Sequence, residues 1–245
     1  MWYSFPGNQK REDNSPALRC PICSGSSFNQ IKVLWPELAK QWLISPEEEA
    51  YIDRQQGFCC DACGANLRSM NLAGALLDHF AFNGTLSQFC SRSREAKSLS
   101  LLEVNEAGTL TLALSSFRKY KLTRYPEVDM HKFPFADASY DIVIHSDVLE
   151  HVNNPGTGLT ECFRILKPNG VLLFTIPIIY GRLSRKRDDT EPPSYHGDPA
   201  INGSDLQVHT EFGADFWVLL LEAGFRRIKL FSLTGPESIA ILGWK

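Results

Sequence analysis

The sequence has no uninterrupted apolar run approaching the roughly 18 residues that read as a membrane-spanning helix. It also lacks an excess of either charge: 25 basic and 28 acidic residues in 245 leave a net charge of −3. Nothing global therefore draws the chain to nucleic acid or to an anionic membrane, and both partners are disfavoured. The opening MWYSFPGNQKREDNSPALR carries no apolar stretch of the length a secretory leader needs. A soluble, cytoplasmic protein is expected, with residues 1–18 as a flexible terminus. In a reducing compartment its seven cysteines are not a disulfide framework, so their spacing reads as metal, catalytic or core.

Cys20 and Cys23 stand in CPIC, and Cys60 and Cys63 in CDACG. Two C-x2-C knuckles can aim four thiolates at one tetrahedral Zn2+, because each short turn presents two sulfurs to a common point. The alternative is a set of reduced, half-buried thiols. Cys59 adjoins Cys60, but only Cys60 keeps the two-residue spacing to Cys63; Cys90 and Cys162 are isolated and read as small buried hydrophobes. The gap between the knuckles should hold a helix. Ser45-Pro46-Glu47-Glu48-Glu49 supplies a cap, a proline for the first turn and acids beside the helix N-terminus, and Gly57 stops the run. After the second knuckle, Leu67 to Phe82 has apolar residues at 72, 76, 77 and 80 and reads as an amphipathic helix.

From Leu99 onward, short apolar runs alternate with helical patterns. Strands are expected over Leu99–Val104, Tyr120–Tyr125, Asp141–Ser146, Val171–Ile176, Arg226–Ser232 and Glu237–Gly243, and helices at about 109–118, 155–166 and 213–223. This order predicts an α/β fold with a mostly parallel sheet covered on both faces. Ligands in such sheets bind beyond the carboxyl ends of the strands, at the switch point. The loops after strands are therefore where functional residues belong.

Two of those loops carry a resemblance. FPFADASYDIVIHSDVLEHV (133–152) followed by ECFRILKPNGVLLFTIPI (161–178) resembles the class I S-adenosylmethionine-dependent methyltransferases, over about Ser98 to Gly243. PIIYGRLSRKR, PPSYHG and VHTEFGADFWVLLLEAGF resemble a subgroup with an N-terminal four-cysteine zinc segment, in which CGANLR after the second knuckle also recurs. The implied fold is Rossmann-like, with a small zinc module in front. The implied division is a zinc-binding module and connecting helix over 19–90 and a methyltransferase domain over 91–245.

What the resemblance implies can be placed residue by residue. The loop after the first strand would hold the methionine end of the cofactor, with Glu103 meeting its amino group or anchoring the loop. The family's three glycines align with Asn105, Ala107 and Thr109, leaving Gly108 out of phase. Asp129 matches the adenine-side acid, with Met130 and His131 flanking the adenine; Arg124 stands where a ribose acid is usual, and Glu127 is the nearest substitute. Only 21 positions separate Gly108 from Asp129, and 12 more lead to Asp141, so one strand-helix unit is trimmed or missing. His145 and Ser146 would lie along the methionine, near the methyl group, and Leu149 would pack behind it. His151 either touches the cofactor or shapes the site from its helix.

Methyl transfer from a sulfonium needs positioning, and a base if the acceptor is O–H or acidic C–H. His145, His196 and His209 are the candidate catalytic bases, histidine titrating near neutrality; each could instead be a surface or loop-ordering residue. No (Asp/Asn)-Pro-Pro-aromatic tetrad ends the fourth strand, which disfavours exocyclic base nitrogens as acceptors. Segment 181–198 is expected to form a lid or acceptor loop. Its Arg182, Arg185, Lys186 and Arg187 suit an anionic acceptor, such as a phosphorylated or nucleotide-linked sugar, or are balanced by Asp188, Asp189 and Glu191. The expected function is methyl transfer to an unidentified small molecule, sugar-linked acceptors included, using S-adenosylmethionine and Zn2+. The alternative is a non-catalytic scaffold whose zinc module binds protein or nucleic acid.

Overall fold

The computed structural model describes residues 18–187, 190–196, 206–235 and 237–245. Apart from Leu18, the expected flexible terminus lies outside them. Strands β1 (Phe28–Gln30) and β2 (Phe58–Cys60) form an antiparallel ribbon on which Phe28 and Phe58 stack at 5.1 Å. The ribbon is interrupted by two helices, Pro36–Gln41 and Pro46–Gly57. The second starts where its cap residues predict. Ser45 Oγ accepts from Glu48 N (3.2 Å) while the Glu48 carboxylate accepts from Ser45 N (2.7 Å), so two otherwise orphaned donors are satisfied reciprocally.

Helix Leu67–His79 is capped by Asn66, whose Oδ1 accepts from Ser69 N at 2.9 Å. Residues 69 to 77 are all buried. A helix apolar on every side must be covered on every side. This one lies between the main sheet and the cysteine ribbon, and one core joins Cys20, Ile22 and Cys60 to Leu72, Leu76, Leu101 and Ile142. Gly74 is required by that fit, since a Cβ there would stand 2.7 Å from the Phe231 ring. Truncating Leu72 or Leu76, both fully buried, would cost about 2–5 kcal/mol.

The main sheet contains β3 (Ser100–Val104), β4 (Lys119–Thr123), β5 (Tyr140–Ser146), β6 (Leu166–Thr175), β10 (Arg227–Phe231) and β11 (Ala240–Trp244) in the order β10-β11-β6-β5-β3-β4. Pairs β3–β4, β3–β5 and β5–β6 are parallel, and only β11 runs against its neighbours. The sheet is mostly parallel, as expected for a Rossmann-like fold. Between Thr123 and Tyr140 the described chain forms neither strand nor helix, which is where one strand-helix unit is trimmed. Three short strands, β7 (Ile178–Ile179), β8 (Arg185–Lys186) and β9 (Thr210–Gly213), make a separate small sheet over the strand ends.

One expected helix is much reduced. Residues 109–118 give only a 3-10 turn, Gly108–Leu110, and one α turn, Thr111–Leu114. The helix after the second knuckle covers this sheet face instead, so the chain here buries just Leu110, Leu114 and Phe117. No helix among the described residues is long and apolar enough to cross a membrane.

Candidate functional site

A cleft of about 610 Å³ opens at the carboxyl ends of β3, β4 and β5, at the point where the strand order reverses. β3 and β5 leave the sheet by the same turn. Asn105 N donates to Thr123 O (2.8 Å) and Asp147 N donates to Thr175 O (3.0 Å), and both residues have φ of 51°. Asn and Asp tolerate this left-handed conformation better than most residues. Asn105 thus makes the turn that a glycine would otherwise serve, and both residues line the cleft.

Of the residues expected at the cofactor, Asn105, Asp129, Met130, His131, Ser146 and His151 line this cleft. Asp129 Oδ1 accepts from His131 N (2.8 Å) and stands 2.7 Å from His131 Nδ1. The backbone N–H of His131, with the ring behind it, holds the Asp129 carboxyl below its ordinary pKa. His131 Nε2 accepts from Asn154 N at 3.1 Å, so the ring's tautomer is fixed at both nitrogens. Arg124 is paired with Glu106 at the mouth.

The other four expected contacts lie behind the cleft wall. Glu103 is fully buried and accepts from Ala107 N (2.7 Å), Thr111 Oγ1 (2.6 Å) and Tyr120 OH (2.5 Å). It therefore anchors the loop. Ala107 is fully buried and Leu149 nearly so. Gly108, at φ 59°, packs on helix Leu67–His79, where a Cβ would come 2.3 Å from Ser69 Oγ.

Among the expected bases, His209 lines the cleft. His196 stands behind His151, with ring centroids 4.8 Å apart. His145 does not reach the cleft. Its side chain points to the opposite side of β5 from Ser146, as alternation requires, and stacks on Phe174 at 5.0 Å. It is 0% exposed, and burial holds its pKa down to about 3. A base must touch its acceptor, so His145 is withdrawn from that role.

Sequence reasoning passed over four residues here. Arg68, on the helix after the second knuckle, pairs with Asp147 at the end of β5. Glu150 is 1% exposed, and burial lifts its carboxyl to about 7 against the pull of Arg68. Trp42 and Ile52, from the helices between the knuckles, line a small second pocket with Glu150, His196, Ile178, Val208 and Phe212. Arg68 and Glu150 had local signals, in the CGANLR and DVLEHV stretches; Trp42 and Ile52 had none.

The described part of the expected lid spends its arginines internally. Arg182 pairs with Glu48 (3.1 Å), Arg185 with Glu191 (2.6 Å) and Glu211 (2.7 Å), and Arg187 with Glu191 (3.3 Å) and Glu211. Asp188, Asp189 and residues 197–198 lie outside the described residues.

At the other end, Sγ of Cys20 lies 3.7 Å from that of Cys63, and Cys23 Sγ 3.7 Å from Cys60 Sγ. The four sulfurs all lie within 4.8 Å of one another. Sulfurs about 2.3 Å from one tetrahedral ion stand roughly 3.7–3.8 Å apart, so the donor set and its spacing fit a four-thiolate metal site. The knuckles match: Ser24 N donates to Cys20 O and Gly64 N to Cys60 O, each at 2.8 Å, with φ of 69° and 71°. Gly25 N donates to Cys23 Sγ at 3.4 Å. Cys59 Sγ instead stands 3.8 Å from Gln56 O.

Residues 63–174 match the family described as "Methyltransferase domain". The match runs from the second knuckle through the cleft to β6. Over that stretch, less than half of the chain, it is similar to S-adenosylmethionine-dependent methyltransferase domains. A probable S-adenosylmethionine-dependent methyltransferase of Mycobacterium tuberculosis is 33% identical over 121 residues, 47% of this chain and 39% of that protein. A ubiquinone/menaquinone biosynthesis C-methyltransferase of Vibrio campbellii is 30% identical over 137 residues, 49% of this chain and 51% of that protein. The chain thus spans about half or less of these relatives. The solved structure of an S-adenosylmethionine-dependent methyltransferase from Mesorhizobium loti aligns with 11% identity and a TM-score of 0.43, over 65% of this chain and 98% of that one. The family match begins before helix Leu67–His79, so it takes in the helix that packs between sheet and ribbon.

Proposed function

We propose that the chain transfers the methyl group of S-adenosylmethionine to a small-molecule acceptor bound beside the second pocket, with Zn2+ held by Cys20, Cys23, Cys60 and Cys63. The observation that carries the reading is the cleft past β3 and β5. Its Asn105 and Ser146 suit the methionine end, while Asp129, Met130 and His131 suit the adenine. Asp129 has its Oδ1 committed to His131, which fixes the carboxylate and leaves Oδ2 for an exocyclic amine. Glu103, through Ala107, Thr111 and Tyr120, keeps the loop in the shape that Asn105 requires. The intact turn at Asn105 favours cofactor binding over the scaffold alternative.

Transfer is a displacement in line with the leaving sulfur, and most of its acceleration comes from positioning. For an O–H acceptor, His209 is the candidate base, since it faces the cleft from the strand-end side. The second pocket is walled by Trp42, Ile52, Ile178, Val208 and Phe212, which suits an acceptor with an apolar portion. The pairing of Arg182, Arg185 and Arg187 with Glu48, Glu191 and Glu211 argues for a neutral acceptor over an anionic one. The division into a zinc module over 19–90 and a catalytic domain over 91–245 is kept as a division of roles, the first part lending Trp42 and Ile52 to the acceptor pocket.

The test is calorimetric titration with S-adenosylmethionine and S-adenosylhomocysteine. Saturable one-to-one binding is expected, weakened about 10-fold or more by Asp129→Ala, the loss of a hydrogen bond to a charged group being worth about 1.5–3 kcal/mol. No heat at millimolar cofactor, with variant and wild type alike, would sink the reading.

A further inference from the structure

We propose that Glu150, His151 and His196 form a second metal site, taking a divalent first-row transition ion at the acceptor end of the cleft. The three residues each offer one donor atom, all within 4.8 Å of one another. Glu150 Oε1 stands 3.7 Å from His151 Nε2 and 3.6 Å from His196 Nδ1. Donors about 2.1 Å from a shared ion stand roughly 3.0–3.6 Å apart over the usual coordination angles. The cluster is thus within a few tenths of an ångström of a ligating arrangement.

The hydrogen-bonding pattern points the same way. His151 Nδ1 lies 2.9 Å from the carbonyl of Gln207, and a carbonyl can only accept. The proton is therefore on Nδ1, and Nε2 presents a lone pair toward the Glu150 carboxylate. Two acceptors facing each other repel unless a proton or a metal ion lies between them. A carbonyl that fixes the tautomer of a histidine is also the usual support behind a metal-bound imidazole. Glu150 itself is 2% exposed at its side chain, and neither of its oxygens has a hydrogen-bond donor among the described residues. Arg68 is near enough to act on Glu150 but makes no hydrogen bond to it among the described residues: one end of its guanidinium pairs with Asp147, and its Nε has no partner there. A buried, unpartnered carboxylate is costly, and a metal ion is one of the few groups that offsets that cost.

The donor set selects the ion. Two imidazoles and one carboxylate suit Zn2+, Fe2+, Co2+ or Ni2+ better than Mg2+ or Ca2+, and three protein ligands leave positions open. His151 faces the cleft, while Glu150 and His196 face the second pocket. The open positions thus lie between the cofactor end and the acceptor end, where an oxygen of the acceptor could enter. That last role rests on the methyltransferase reading; the metal site does not.

The experiment counts metal on the full chain by equilibrium dialysis against Zn2+ and, separately, Co2+. Glu150→Gln and His196→Ala are each expected to hold one equivalent fewer than wild type, while both keep the equivalent that Cys20→Ser loses. Retention of that cysteine-bound equivalent shows that the variants are folded. Equal metal content in wild type, Glu150→Gln and His196→Ala overturns the proposal and assigns Glu150 a proton in place of a metal. Cofactor titration is read separately: S-adenosylmethionine binding without the second metal refutes only this site, and the second metal without cofactor binding refutes only the methyltransferase reading.

Discussion

The indole N–H of Trp42 donates to the hydroxyl of Ser194, joining the helices between the cysteine knuckles to the segment over the strand ends, 152 positions further along. Trp42 also lies 5.2 Å from the His196 ring and packs with Leu34, Leu38 and Ile52. The N-terminal module therefore walls the second pocket, proposed above for the acceptor, as well as carrying the four clustered cysteines. Trp42→Ala should destabilise the chain by about 3–5 kcal/mol and expose the 180–196 segment to trypsin. Cofactor affinity should stay unchanged, because Trp42 does not line the cofactor cleft. An unaltered tryptic pattern would show that the link does not hold the segment.

Glu103 and Tyr120 give a second test, of the loop that receives the methionine end. Tyr120 OH bonds Glu103 Oε2 at 2.5 Å, and burial together with the Glu103 charge raises the pKa of the phenol. Tyr120→Phe leaves one oxygen of a fully buried carboxylate without that donor, a loss worth about 1–3 kcal/mol. Denaturant unfolding should show that loss, and calorimetry a parallel drop in cofactor affinity as the Asn105 turn loosens. Stability lost without any change in affinity would mean that the loop shape does not depend on this bond.

These two pairs show what the sequence could and could not tell. The convergence of Cys20, Cys23, Cys60 and Cys63 was legible because a two-residue spacing dictates where two sulfurs point, and the place of Asn105, Asp129 and Ser146 at one cleft because they stand at strand ends or match an ordered motif. His145 was misplaced by a single step. In a strand, neighbours face opposite ways, and its polar side chain suggested a cleft that only Ser146 reaches. The alternation of 145 and 146 was visible, but which face was the cleft depended on the sheet. Trp42, Glu150 and His196 were not legible as a group, since they come from three distant segments and meet only through packing. The shortened 109–118 helix has the same cause: helix Leu67–His79 took its place, and no local pattern in 109–118 records that.

The four-cysteine site should govern stability as well as metal content. Cys20 and Cys60 are buried at 1% exposure within the core that also holds Leu72 and Leu101, so binding of the proposed metal would be coupled to folding. Cys20→Ser should lose one zinc per chain and lower the thermal midpoint, and chelation of wild type should lower it likewise. Cys59→Ser, at a residue whose Sγ turns toward Gln56 O, should retain full zinc. If Cys59→Ser loses zinc and Cys60→Ser keeps it, the ligand assignment is reversed.

His145 predicts a pH dependence whose sign follows from its burial. Its pKa is lowered by burial from 6.5 to about 3, so the unfolded chain takes up a proton below about pH 6.5 that the folded chain refuses. Stability is unaffected by this residue above that range and falls as the pH drops from 6.5 toward 3, by about 1.4 kcal/mol per pH unit. His151 and His196 are also held below their ordinary pKa, chiefly by burial, and steepen the loss in wild type. His145→Phe keeps a ring stacked on Phe174 and removes two buried nitrogens that have no partner among the described residues. The variant should therefore gain on wild type as the pH falls, by about 2 kcal/mol at pH 5 relative to pH 7. Denaturant unfolding at the two pH values measures it. Parallel pH profiles for His145→Phe and wild type would mean that His145 is reached by solvent and titrates alike in both states.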